Sequence, residues 1–349
     1  MWLEAMVRPK RIILLSVFLL TSVALYLYLV GDEPGDTALK RTAQLANIDS
    51  VTRGQNVVII EGETNNNDNA IQDDIVSVAK RASRSNKTVL LTMVNDAYLS
   101  FTYSWLCNTK DMGIHQSVLI ITTDEISKTN LTRDWPEIHV FSMEMTTSKG
   151  DQTYSHAGYI KIMVKRTEMI LAILMADIEI FLFEVDCLWL ANPTPALQQE
   201  KGVDILVNPV EGVYKVYAGG FLYLFTTPRA KSLWKQLTVM MMNLGQKVEK
   251  MNEKQYISEA ENDQQYISKL INDRYGGLLI KELSLDVYAD GKWYEKSESD
   301  RAKLRPVIIN NNWVLGNKKK MERAMKWKHW FIRPDWSCDM DLVRQVVYH

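Results

Sequence analysis

The chain has 349 residues, 46% of them hydrophobic, and its 41 Lys and Arg nearly cancel its 42 Asp and Glu, for a formal net charge of -1. That balance supports one large globular domain with appendages, excludes wholesale disorder, and gives no global field toward nucleic acid, so any phosphate site must be built locally. Three cysteines, Cys107, Cys187 and Cys338, lack a C-x-x-C spacing, which argues against a structural zinc site or a disulfide-stapled mini-domain and allows at most one intrachain disulfide.

In chain order, the first element is an uncharged run of 19 residues, Ile12 to Val30, long enough to cross a hydrocarbon core of roughly 30 Å as a helix. Arg8, Lys10 and Arg11 precede it, and Asp32, Glu33 and Asp36 follow it. The positive-inside rule then makes residues 1–11 a cytosolic tail, 12–30 a transmembrane signal anchor, and the remainder luminal, in type II topology. The run exceeds the usual h-region of a cleaved signal peptide and lacks a small-x-small site at its end. Two sequons, at Asn86 and Asn130, are compatible with a luminal chain. Residues 31–85 are polar and turn-rich and read as a stem, with a short apolar patch at Val57 to Ile60; a catalytic domain spans 86–349.

Within that domain, Thr88 to Val94 reads as a buried strand, Tyr103 to Lys110 as a helix stopped by Gly113, and Ser117 to Thr122 as a second buried strand ending at Thr123-Asp124-Glu125. A third strand is expected at Ile138 to Phe141, a long helix over Tyr159 to Met175, and a fourth strand over Ile178 to Phe183. Further strands are expected at Ile205 to Val207 and Gly220 to Thr226, followed by a helix from Pro228 past Met242. Strands alternating with helices predict an α/β fold with a largely parallel sheet. Trp327, Trp330, Phe331 and Trp336 are assigned to the core.

Glu184-Val185-Asp186 follows the apolar fourth strand, and in extended chain the two carboxylates share one side. Ligand crevices of open α/β sheets lie beyond the carboxyl ends of the strands, where hard oxygen ligands suit Mg²⁺ or Mn²⁺ with a diphosphate. A solvated strand end is the plainer explanation of an isolated E-x-D. Five scattered histidines, with no G-x-S-x-G and no P-loop, set hydrolase and kinase chemistry aside.

The block Leu174 to Pro193, with Glu184-Val185-Asp186 in the place of D-x-D, resembles the nucleotide-diphospho-sugar transferase family, of GT-A fold and including glycosyltransferase family 77. The likeness continues, in order, through Ala218-Gly219-Gly220-Phe221, Asn262-Asp263-Gln264, and Asn312-Trp313-Val314-Leu315-Gly316 with Lys320. It implies a GT-A-like open, mostly parallel sheet behind the anchor and stem, and a nucleotide-diphosphate sugar, of the UDP class, as cosubstrate. Mn²⁺ or Mg²⁺ would be held by Glu184, Asp186 and Asn310. Glu184 departs from the first aspartate of the motif, and Asn310 stands where the family commonly carries a metal-ligating histidine.

By the same resemblance, Thr92, Val94 and Asp124 cradle the nucleotide, Lys165 or its neighbour Arg166 and Lys320 face the donor phosphates, and Gly219 and Gly220 admit the sugar. From sequence alone that glycine pair is equally a plain turn. Asp263 and Gln264 are candidates at the reacting centre, although an acid there also serves simply as a helix N-terminal partner. The expected enzyme is a Golgi type II glycosyltransferase, with the endoplasmic reticulum as the other compartment, moving a hexose or pentose to a glycan or glycoprotein hydroxyl with retention. The second reading is a luminal GT-A-fold pseudoenzyme that binds glycans or a partner transferase, motivated by Glu184 and Asn310.

Overall fold

The computed structural model describes residues 66–347, apart from 144, 146–149 and 151. The expected tail and anchor and the patch at Val57 to Ile60 lie outside the described residues; among those described, no helix is long and apolar enough to cross a membrane.

Helix α1 (Asn66–Ala82) falls inside the stretch read as stem. Ile75, Val78, Ala79 and Ala82, spaced along one face, are buried with the long helix and the sheet. The strands that follow are β1 (Thr88–Val94), β2 (Val118–Thr122), β3 (His139–Ser142), β4 (Glu179–Leu182), β5 (Leu188–Trp189), β6 (Ile205–Pro209), β7 (Tyr217–Leu224), β8 (Ile280–Glu282), β9 (Tyr288–Ala289) and β10 (Ile308–Ile309). Among the described residues, the main sheet has the order β3-β2-β1-β4-β7-β6-β8 and a small one the order β5-β10-β9.

The main sheet is mixed and mostly parallel. β1 runs parallel to β2 (Leu90 beside Val118) and to β4 (Leu90 beside Phe181), whereas β7 is antiparallel to both β4 and β6. Its central strands read as continuous apolar runs because each face is covered. Val89, Leu91, Ile180, Leu182, Leu222 and Leu224 enter one core, while Leu90, Phe181, Phe183, Phe221 and Tyr223 enter the other. The chain lays down β1, β2 and β3 in one direction and returns to place β4 on the opposite side of β1. Strand order therefore reverses between β1 and β4, and a crevice opens beyond Val94 and Leu182.

Five helices frame that crevice and its flanks: α2 (Leu99–Thr109), α3 (Glu125–Asp134), α4 (Ala157–Met175), α5 (Pro228–Val248) and α6 (Asp263–Asn272). α5 begins at Pro228 behind Thr227, whose hydroxyl accepts from Ala230 N at 3.2 Å, and it packs along α4. Helices α7 (Asn317–Lys326) and α8 (Met340–Val347) close the chain. A Cys107–Cys338 disulfide, with Cα atoms 5.3 Å apart, ties α2 to the segment before α8, and Cys187 is buried and unlinked.

Three sequence expectations shift. Gly219-Gly220 lies inside β7 rather than before it. The chain leaves β4 at Leu182 and turns, Cys187 N donating to Glu184 O at 3.3 Å, so Glu184 and Asp186 do not sit on extended strand. Of the C-terminal aromatics, Phe331 is core but Trp336 is 46% exposed, packed edge-on against Tyr103.

Candidate active site

The crevice has an acidic wall and a mixed one. On the acidic wall, Phe183 and Val185 point into the core and leave Glu184 and Asp186 facing the cleft between β1 and α4. Asn310, one residue past β10, donates through Nδ2 to Glu184 Oε2 at 3.2 Å. Burial and the neighbouring Asp186 charge push the Glu184 carboxyl pKa up. Lys320, four residues into α7, donates to Asp186 Oδ2 at 2.6 Å. Burial opposes the Lys320 charge, but the Asp186 and Glu184 charges and the hydrogen bond to Asp186 more than offset it and hold its pKa above the ordinary lysine range.

Asp186 Oδ1 and Asn310 Oδ1 are buried with no hydrogen-bond partner among the described residues. A buried carboxylate oxygen without a donor suits a hard cation, and Glu184 lines the same chamber, so the pair fits Mn²⁺ or Mg²⁺. Among the described residues no cluster of three His, Cys, Asp or Glu exists that could hold a metal alone. Asp186 and Glu184 would hold the cation, and the unpartnered Asn310 Oδ1 is the further oxygen beside them. Asn310, nine-tenths and more buried, steadies Glu184 through its hydrogen bond.

On the other wall, Arg166 Nη2 donates to Asp263 Oδ2 at 2.5 Å and to Gly219 O at 3.2 Å, joining α4, α6 and β7. Asn262 caps α6, its Oδ1 accepting from Gln265 N at 2.9 Å, which places Asp263 in the first helical turn. The Tyr159 hydroxyl donates to Asp263 Oδ1 at 3.5 Å, and Gly219 N donates to Gln264 Oε1 at 3.4 Å. A β-carbon at Gly219 would lie 3.0 Å from Asp263 Oδ2, and one at Gly220 would lie 2.7 Å from Glu184 Oε1. A side chain at either glycine would therefore crowd the acid of the adjoining wall.

Glu184, Asp186, Lys320, Thr92 and Val94 line one chamber; Gly219, Gly220, Asp263 and Gln264 line the next, which shares Glu184, Arg166 and Lys320 with it. Asp124 lines neither chamber: its Oδ1 accepts from Ser127 N at 2.7 Å and caps α3. Lys165 donates to Glu168 Oε2 at 2.9 Å, and Arg166 is the basic residue of α4 that meets the cleft. The spacing Tyr159, Ile162, Met163, Arg166, all cleft-lining, carried that signal in the sequence. Tyr98 and the loop Trp313-Val314-Leu315 also line the cleft; Trp313, at φ 63°, anchors its indole N–H on Asp290 Oδ2 at 2.6 Å.

The sequence profile described as "Nucleotide-diphospho-sugar transferase" matches residues 113–324. UDP-D-xylose:L-fucose alpha-1,3-D-xylosyltransferase 1 of Arabidopsis thaliana is 23% identical over 278 residues, 75% of this chain and 75% of that protein. Beta-arabinofuranosyltransferase RAY1 of the same plant is 20% identical over 275 residues, 74% of this chain and 50% of that one. The solved glycosyltransferase GlyE of Streptococcus pneumoniae TIGR4 aligns with a TM-score of 0.44 at 14% identity, covering 74% of this chain and 62% of that chain.

Proposed function

The chain belongs to the nucleotide-diphospho-sugar transferase family and carries a glycosyltransferase domain, and on that footing we propose that it moves a pentose from a UDP-sugar, UDP-xylose first, to a glycan hydroxyl with retention of anomeric configuration. The donor and an L-fucose-bearing acceptor are taken from what the similar plant enzymes are named for. The observation that carries the reading is the Lys320 ammonium seated on Asp186 beside Glu184, at the point where strand order reverses.

As the bond from the sugar to the diphosphate breaks, negative charge grows on the departing phosphate oxygens, and Lys320 meets it from a fixed position. A divalent cation held by Asp186 and Glu184 would supply further positive charge to the same oxygens. Across the cleft, Arg166 fixes one Asp263 oxygen and orients that carboxylate beside Gly219 and Gly220, where it opposes positive charge developing on the sugar ring. Gln264, on the same helical turn, is placed to hold the sugar or the acceptor hydroxyl.

We place the domain in the Golgi lumen, with residues 12–30 as the anchor of a type II protein and a stem that ends before Asn66. The Cys107–Cys338 disulfide supports an oxidising compartment. The test is to incubate the full chain with a panel of UDP-sugars and fucosylated acceptors, and to read the product's anomeric configuration by NMR. Transfer of a pentose with an unchanged anomer is expected. Absence of transfer from every donor by protein that binds UDP would contradict the proposal.

A further inference from the structure

A second cavity, of about 810 Å³, opens on the side of the domain where α2, α3 and the disulfide-tied C-terminal segment meet. Its lining combines aromatic rings with charges: Tyr103 and Trp336 edge-on at 5.0 Å, Trp135, Lys110, and Asp134, which accepts from the Tyr103 hydroxyl at 2.6 Å. Trp336 is held there with 46% of its surface exposed. Tyr103 and Trp135 are buried and back the pocket, and the exposed Trp336 ring, rimmed by charged donors and acceptors, suits a sugar, whose C–H face leaves water while its hydroxyls stay hydrogen-bonded. Asn130, in the sequon Asn130-Leu131-Thr132, lines the same cavity from α3, and Leu131 beside it is buried.

The geometry points to this cavity as the seat of an N-linked glycan carried by Asn130, its first N-acetylglucosamine packed on Trp336. The inference rests on the luminal orientation proposed above. In the attachment, the C1–O bond of a lipid-diphosphate-linked oligosaccharide breaks as the C1–Nδ2 bond forms; the lipid diphosphate leaves with the electron pair and Nδ2 loses one proton. The other sequon is built differently. Asn86 Oδ1 and its backbone carbonyl accept from Gln198 Nε2 at 3.1 and 2.6 Å, and the Thr88 hydroxyl is buried 2.7 Å from Tyr223. A glycan on Asn86 would have to coexist with those contacts, whereas one on Asn130 has a cavity beside it.

The full chain, tagged at its C-terminus, is expressed in a eukaryotic host and treated with a peptide N-glycosidase, alongside Asn130→Gln, Thr132→Ala and Asn86→Gln. The expected result is a mobility shift that loses one glycan in both Asn130→Gln and Thr132→Ala. Release from the native wild type should be at least tenfold slower than from denatured chain, and Trp336→Ala should narrow that ratio. A shift that survives Asn130→Gln unchanged overturns the inference, and equal native and denatured release overturns the seating on Trp336. Protease protection of the tag in sealed microsomes separates the two levels: a protected tag without a glycan on Asn130 refutes this inference alone, and an exposed tag refutes the luminal orientation with it.

Discussion

Glu184 rests against the backbone of Gly220 so closely that a β-carbon on that glycine would stand 2.7 Å from Oε1. Gly220→Ala should therefore displace the carboxylate before it unfolds the protein. Misplacement by about an ångström costs on the order of 10²-fold in turnover, against roughly 1–3 kcal/mol of overpacking. Steady-state kinetics beside thermal unfolding checks this, and an alanine variant with wild-type kcat would show that the Glu184 position is irrelevant to turnover.

Lys320 and its two neighbours in the basic run are distinguishable. Lys318 and Lys319 are exposed, while Lys320 is on Asp186. Lys320→Ala should lower kcat/KM by about 10²–10³-fold, the usual loss of one preorganised electrostatic contact. Lys320→Arg should recover part of it, and Lys318→Ala with Lys319→Ala should stay near wild type in the same assay.

Arg166 and Asp263 form a buried pair that also holds the Gly219 carbonyl. A double-mutant cycle with Arg166→Lys and Asp263→Asn should give a coupling energy of about 1–3 kcal/mol in unfolding measurements. Lys165→Ala, on the neighbouring face, should change stability by less than about 0.5 kcal/mol. Independent, additive effects of Arg166 and Asp263 would remove the link between the two walls.

Burial lowers the pKa of His329 to about 4, next to the Tyr294 hydroxyl at 3.0 Å. The folded chain then resists the proton that the unfolded chain accepts near pH 6.5. Stability contributed by neutral His329 is present above the unfolded value and is lost as pH falls from about 6.5 toward 4, to a limit on the order of 3 kcal/mol. Denaturant unfolding across that range should show the decline, and His329→Phe should flatten it.

The sequence made the central strands legible because burial on both faces writes them as unbroken apolar runs: the expected Thr88 to Val94 coincides with β1, and Ile178 to Phe183 brackets β4. The acidic pair after β4, the glycines and the Asn262-Asp263-Gln264 turn were all recoverable in order. Helix α1 was not, since its apolar face is small and set in a polar run, and only contact with α4 and the sheet makes it worth burying. The small sheet escaped for another reason. β5, β9 and β10 are two residues each, β5 meets β10 across more than a hundred positions, and no periodicity exists at that length. The hydrogen bond from Asn310 to Glu184 joins residues 126 positions apart and has no local sequence signature.

The most direct test is calorimetric titration of UDP, with Mn²⁺ present, into the full chain and into Asp186→Ala. If the diphosphate is held by Lys320 and by a cation on Asp186, UDP binds the wild type and the variant binds at least about tenfold more weakly, a difference of roughly 1.4 kcal/mol. Equal affinity in the two proteins would place the diphosphate elsewhere and contradict the account.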